Sequence, residues 1–138
     1  MIDKKSLPQV AYQMMNEVHQ EEVDLLNRLE AVLKDEELDI PHIDELLDRL
    51  LEHTKEHFSN EERLMQEVSF PAMMMHQGEH LRVFNEMKRV VGQWEETRDP
   101  NVIREYFLGT LIEWLMHHIN TMDTITAQFI TAHKGGGH

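Results

Sequence analysis

Apolar residues recur along this chain in steps of four and three, the repeat expected of one helix face at about 3.6 residues per turn. Four segments carry the pattern. The first shows Ala11, Met15, His19, Val23, Leu26, Leu29 and Leu33. The second shows Ile43, Leu47, Leu50, Thr54, His57, Glu61, Leu64 and Val68, and the third Met73, His76, His80, Val83, Met87, Val90 and Trp94. The fourth shows Phe107, Leu111, Leu115, His118, Met122, Ile125 and Phe129, with Asp123 beside the stripe. Strand-like alternation and solenoid repeats are absent, so the chain reads as all-α. Turn signals separate the segments. The acidic run 35–39 precedes Pro41, which suits a first helical turn. Ser69-Phe70-Pro71 breaks and restarts a helix, and Asp99-Pro100 supplies a cap and a first turn. The predicted helices run from about Pro8 to Lys34, Pro41 to Val68, Pro71 to Thr97 and Pro100 to His133. Short links between four long helices favour an antiparallel up-down-up-down four-helix bundle. One domain is expected over 1–134, with Gly135-Gly136-Gly137-His138 as a flexible tail.

The stripes carry the wrong chemistry for a plain core. His19, His57, Glu61, His76, His80 and His118 occupy core positions, and Asp123 lies next to one. Burying a polar or charged group without a partner costs several kcal/mol. One histidine on an apolar stripe is more often a hydrogen-bonded core residue than a ligand, and one Glu four residues after a His is usually a surface pair. Seven such residues on four helices need a common partner, and a pair of metal ions is the simplest. Spacing supports this. Residues four apart share a helix face, so His57 with Glu61 and His76 with His80 each point to one zone. His118 and Asp123 are five apart and diverge by about 140° on an α-helix, which suits one terminal ligand and one carboxylate reaching sideways.

Composition narrows the metal and the partners. The chain has 138 residues, no cysteine and a formal net charge of -13. Without thiolates, any transition metal must be held by imidazole and carboxylate, which suits iron, manganese or zinc. There is no basic stripe for nucleic acid and no apolar run of about 20 residues to span a bilayer. The start, MIDKKSLPQVAYQ, lacks the apolar core of a secretory signal. With no cysteine to oxidise, a cytoplasmic setting is expected.

The residues just named fall in the words HFSNE (His57–Glu61), HQGEH (His76–His80) and HHINTMD (containing His118 and Asp123), after His19 in HQEEVDLLNRL. This pattern resembles the hemerythrin family, most closely its single-domain bacterial members, over nearly the whole chain. The resemblance implies a non-haem diiron centre. One iron would take His76, His80 and His118; the other would take His19 and His57. Glu61 and Asp123 would bridge them, together with an oxo or hydroxo group. The two-imidazole iron would keep an open position, at which the family binds O2 reversibly and small anions such as azide can also bind. By helical spacing, Val23, Phe58, Trp114 and Met122 are expected to line that pocket. Ferritin-like diiron proteins are the structural rival, but they are carboxylate-rich and use Glu-x-x-His; this chain offers five imidazoles and two carboxylates.

The implied function is reversible O2 binding, for carriage, storage or scavenging, in a protein that is not an enzyme. The alternatives are an oxygen, redox or nitric oxide sensor, or a diiron enzyme or iron-handling protein. Two positions depart from the family. His53 stands where many relatives carry Tyr, and Thr126 stands where the family has a Tyr three residues after the bridging Asp. Both are expected to alter hydrogen bonding around the metal ligands or access to the pocket. His42, His117, His133 and His138 read as surface residues, the ten methionines as adaptable core packing, and the glutamates outside the ligand set as a solvated face.

Overall fold

The computed structural model describes Leu7 and residues 9–134. Pro8 itself and the tail at 135–138 lie outside the described residues, but residues 9–12 are not helical, so the first helix starts at Gln13, later than the expected start near Pro8. Three long helices come first: α1 (Gln13–Leu33), α2 (Ile40–Glu67) and α3 (Met73–Thr97). The fourth rod is continuous but mixed. It consists of α4 (Pro100–Glu105), a π-helical turn (Tyr106–Thr110), α5 (Leu111–His118), a second π-helical turn (Ile119–Asp123) and α6 (Thr124–Lys134). No strand occurs among the described residues. Helix α1 packs on α2, α2 on α3, α3 on α4, and the fourth rod closes back on α1 and α2.

The starts of α2 and α4 follow from the sequence signals. Asp39 caps α2 by accepting the His42 backbone N–H at 3.2 Å, with Pro41 in the first turn. Asp99 does the same for Asn101 at 3.0 Å, with Pro100 beginning α4. Such a cap contributes about 1 kcal/mol over alanine. Helix α3 ends at Arg98, whose left-handed φ of 52° turns the chain sharply. Asp44 on α2 holds this corner, accepting from Arg98 Nη1 at 2.7 Å and from Trp94 Nε1 at 2.8 Å. Before α1, buried Asn16 accepts the Val10 N–H at 2.8 Å and donates to the Val10 carbonyl at 3.0 Å. That clamp folds Leu7 and Val10 onto the core.

Two apolar clusters result. The larger joins Leu26, Leu29, Leu47, Leu50, Met87, Trp94 and Phe107. The smaller joins Leu7, Met15, Val23, Leu64, Ile119 and Ile130. Burying each large side chain contributes about 1.5–3 kcal/mol. On α2 the polar stripe positions Thr54, His57 and Glu61 fall between Leu50 of the larger cluster and Leu64 of the smaller.

The second π-helical turn revises the fourth stripe. Unbroken α periodicity predicts burial of Met122, Ile125 and Phe129. Instead Ile119, Asp123, Thr126, Ala127 and Ile130 are buried, while Ile125 is 61% exposed. A π turn bonds i to i+5 and accommodates one extra residue. The inward face therefore moves on by one position.

Candidate metal centre

All seven predicted side chains are buried and meet in the middle of the bundle. On α2 and α3 ordinary four-residue spacing is enough. On the fourth rod, the π turn that begins after His118 rotates Asp123 inward. Their side chains approach to 3.2 Å, His118 Nε2 to Asp123 Oδ1, where α geometry would have splayed them. The expected sideways reach is thus replaced by a local change of helix type, a device often found at functional sites.

The donors form two sets. Glu61, His76, His80, His118 and Asp123 offer one ligand atom each within 4.8 Å of one another; His19, His57 and Glu61 do the same. The carboxylates face both ways. Glu61 Oε2 contacts His57 Nε2, and its Oε1 lies 3.5 Å from Nε2 of both His76 and His80. Asp123 Oδ2 lies 3.0 Å from His19 Nε2, and its Oδ1 lies 3.1 Å from His76 Nε2. One oxygen of each carboxylate thus serves each imidazole set.

Several atoms here have no hydrogen-bond partner: Glu61 Oε1, Asp123 Oδ1, His80 Nε2 and His19 Nδ1. The first three point into the five-residue set. His76 Nε2 also faces His118 Nε2 at 3.0 Å, an approach of two ring nitrogens rather than a donor meeting a carboxylate. Stranded acceptors and converging imidazoles fit a cation, and the all-N/O donor set fits iron, manganese or zinc.

Outer contacts set the ring tautomers. Thr126 Oγ1 lies 2.9 Å from His76 Nδ1, and Glu62 Oε2 lies 3.2 Å from His80 Nδ1. With the proton on Nδ1 donated outward, each Nε2 keeps its lone pair for the centre. Phe58 stacks on His80 at 3.9 Å, and Trp114 stacks on His118 at 4.4 Å. Trp114 Nε1 donates to Glu79 at 2.8 Å, which also pairs with Arg82. The Arg82 hydrogen bond leads the causes that bring the Glu79 carboxyl down to about 2.

Burial disfavours the charged form of three of the central imidazoles, the direction a metal ligand needs. It depresses His57 and His118, and with the neighbouring imidazoles it brings His80 to about 2. Burial and the nearby Asp123 charge push Glu61 well up. Burial also acts to raise Asp123, but the imidazoles of His118, His19 and His76 close around it outweigh burial, leaving the group well below its ordinary value.

A small cavity of about 10 Å³ adjoins His57. Its wall includes Phe58 and Trp114, two of the four expected lining residues, with Glu22, Thr54, Met87 and Leu111. Val23 is fully buried in the smaller apolar cluster instead. Met122 lines a separate cleft beside His76, a displacement that follows from the shifted register of the fourth rod.

The two positions singled out in the sequence, Thr126 and His53, both stand next to the predicted ligand residues. Thr126 is the His76 partner just described. His53 Nδ1 bonds Glu22 Oε2 at 2.5 Å, and Thr54 Oγ1 donates to Glu22 Oε1 at 3.1 Å. Burial acts to lower His53, but hydrogen bonds to Glu22 and Glu21 outweigh it and raise it. Sequence reading placed Glu22 on a solvated face. It is 4% exposed, whereas its neighbour Glu21 is exposed. Nothing in the local sequence separates the two. His117 is exposed, as its angular position implied.

Comparison with known proteins agrees with this arrangement. The hemerythrin HHE cation binding domain matches residues 10–130. A bacteriohemerythrin of Aquifex aeolicus (strain VF5) is 33% identical over 128 residues, 93% of this chain and 96% of the relative. A bacteriohemerythrin of Stenotrophomonas maltophilia (strain R551-3) is 26% identical over 124 residues, 90% of this chain and 78% of the relative. With the match spanning nearly the whole bundle and all seven predicted side chains converging on one centre, the chain belongs to the hemerythrin HHE cation-binding family.

Proposed function

We propose that this chain is an antiparallel up-down-up-down bundle, one domain over residues 1–134, that holds two iron ions and binds O2 reversibly. His76, His80 and His118 would hold one iron and His19 and His57 the other, with Glu61 and Asp123 bridging. The observation that carries this reading is the two-way facing of both carboxylates, each with one oxygen toward each imidazole set. A single-metal site has no use for that arrangement.

When bound, the iron pair supplies an open coordination position and the electrons for reversible O2 uptake. The chain's own residues do the rest. The His19–His57 set has one imidazole fewer than its neighbour, so the open position belongs on its side, next to the small cavity. Phe58, Met87, Leu111 and Trp114 keep that cavity apolar, and a cavity of about 10 Å³ has room for roughly one water-sized molecule. A dry wall suppresses escape of charged oxygen species. Thr126 and Glu62 fix the His76 and His80 tautomers. The reading is a binding protein rather than an enzyme, with O2 and small anions such as azide as its ligands. No helix among the described residues is long and apolar enough to cross a membrane, and the absence of cysteine suits a cytoplasmic setting.

Anaerobic reduction followed by O2 titration, with visible absorption and iron analysis, tests the proposal. About two irons per chain and a reversible spectral change on O2 are expected. One tightly held zinc with no iron after growth in iron-replete medium would overturn the metal assignment. A reduced protein silent to O2, with a ferric form silent to azide, would mean a coordinatively closed metal bundle.

A further inference from the structure

We propose that the open cleft between α2 and α3 is a binding site for a small carboxylate with an apolar body, seated against the outside of His80. The inference goes beyond the oxygen-binding reading and stands or falls without it.

The cleft has a volume of about 370 Å³, within the range of about 300–1,000 Å³ typical of small-molecule sites. Its walls are largely apolar: Phe58 on α2, and Met74, Leu81 and Phe84 on α3. Met74 is 86% exposed and Leu81 is 61% exposed. Exposed apolar side chains scattered singly need no explanation, but these two face one hollow. Gly78 lies in the same lining, inside α3. Glycine is the least favourable helix residue after proline. Neither usual reason for it applies here. No described glycine has a positive φ, and a Cβ at Gly78 would meet no atom within 4 Å. The missing side chain deepens the cleft.

The polar groups are few and separated by sign. Glu62 is committed at one end: its Oε1 accepts from Gln77 Nε2 at 2.9 Å, and its Oε2 lies 3.2 Å from His80 Nδ1. Contacts across the cleft run from Glu62–Gln77 to Phe58–His80. Descending α2 therefore meets ascending α3, which brings Lys55 level with Phe84. Lys88 Nζ lies over the Phe84 ring, 5.1 Å from its centre. Lys55 lines the cleft and makes no ion pair among the described residues, in a chain of formal net charge -13. Ammonium groups at the rim of an apolar hollow, with the acidic group held away at the other end, fit a ligand whose anionic head stays at the rim and whose body is buried. A second copy of the chain is the rival occupant, but its like charge opposes close approach.

The occupant lies against the support of one predicted metal ligand. Glu62 holds His80 Nδ1, and Phe58 stacks on the His80 ring at 3.9 Å. His80 Nε2 points the other way, into the five-residue set. The site is thus separate from the metal position, yet it touches the groups that orient His80.

The test uses the full chain with its metal and titration calorimetry. Decanoate and naphthoate are the probes, an alkyl and an aryl source of the same chemistry, with decanol and naphthol as uncharged counterparts. One saturating site per chain is expected for at least one of the two acids. Its alcohol should bind about fivefold more weakly, and Lys55→Gln should weaken the acid by a similar factor, the upper end for an exposed ion pair. Gly78→Leu should fill the floor and abolish saturable binding. That substitution meets no atom of the chain and favours the helix, so circular dichroism and iron content should hold. No saturable site for either acid, equal affinity for acid and alcohol, or parental binding in Gly78→Leu would each overturn the proposal. Location has its own readout. In the zinc-loaded chain, nitrogen-15 NMR should show the His80 Nδ1 signal shifting as the probe is added, while His53 stays unmoved. His53 lies in a different cleft, lined by Arg28 and Arg49, so the opposite pattern moves the carboxylate there and overturns the assignment. A concentration-dependent dimer that Gly78→Leu breaks, with no probe bound by the parent, would give the cleft to a second copy instead. Failure of the O2 titration leaves all of these outcomes untouched.

Discussion

Thr126→Val isolates one hydrogen bond that should matter only when metal is bound. Thr126 is fully buried, and its Oγ1 is the partner of His76 Nδ1 at 2.9 Å. Valine nearly matches the shape and removes the acceptor. In the metal-free chain the imidazole can respond by moving its proton to Nε2, where Asp123 Oδ1 waits at 3.1 Å. A metal on Nε2 forbids that tautomer, so the metal-bound form must bury an unpartnered Nδ1–H. Such a group costs about 1–3 kcal/mol, and most of that cost falls on the bound state alone. Metal affinity should drop roughly 10- to 100-fold, as expected for loss of an outer partner of a ligating imidazole, equivalent to about 1.4–2.8 kcal/mol at 1.4 per tenfold. Anaerobic competition between the protein and a chelator for iron(II) measures this directly. Urea unfolding of the metal-free protein supplies the control and should change by less. Thr126→Ser keeps the acceptor and should stay within a few-fold of the parent. Parental affinity in Thr126→Val, alongside metal loss in His76→Ala, would refute the tautomer argument.

Further outcomes follow from other parts of the molecule. Glu61→Ala should lose most bound iron, because it strips one oxygen from each imidazole set, whereas His117→Ala, on the exposed face, should keep it; equal loss by metal analysis would contradict the described register. Phe107→Ala empties a fully buried site in the larger apolar cluster and should cost about 3–5 kcal/mol in urea unfolding, while azide binding by the folded ferric protein stays intact. Glu79 has a carboxyl depressed from 4.5 to about 2, so its favourable contribution is complete above about pH 4.5 and fades as pH falls toward 2. The stability gap between parent and Glu79→Gln should therefore be flat above pH 4.5 and narrow below it. A gap that widens on acidification would show that the Arg82 pairing is misassigned.

Much of the fold was legible because helical burial is periodic and helix starts are marked locally. Asp39 with Pro41 and Asp99 with Pro100 predicted the starts of α2 and α4 to within a residue. The three- and four-residue steps predicted the inward faces of α2 and α3, polar positions included, because α geometry alone decides which residues share a face. The fourth rod failed after His118 for the same reason: a π turn breaks the assumption of constant pitch, and no residue between Ile119 and Asp123 announces it. Only tertiary packing, drawing both His118 and Asp123 inward, decides that turn. It moved Met122 away from the cavity and brought Thr126 onto His76.

The partners of the ligands were equally hidden. Glu21 and Glu22 are adjacent and chemically identical, yet Glu21 is exposed while Glu22 is buried between His53 and Thr54 of the next helix. What the sequence by itself determined is which polar side chains enter the core and the helices that carry them, since both depend on residue type and short-range spacing. What the tertiary structure alone decided is how two carboxylates divide their oxygens between two imidazole sets, and which acidic side chain is buried beside them. Those depend on distances across helices, which no local pattern encodes.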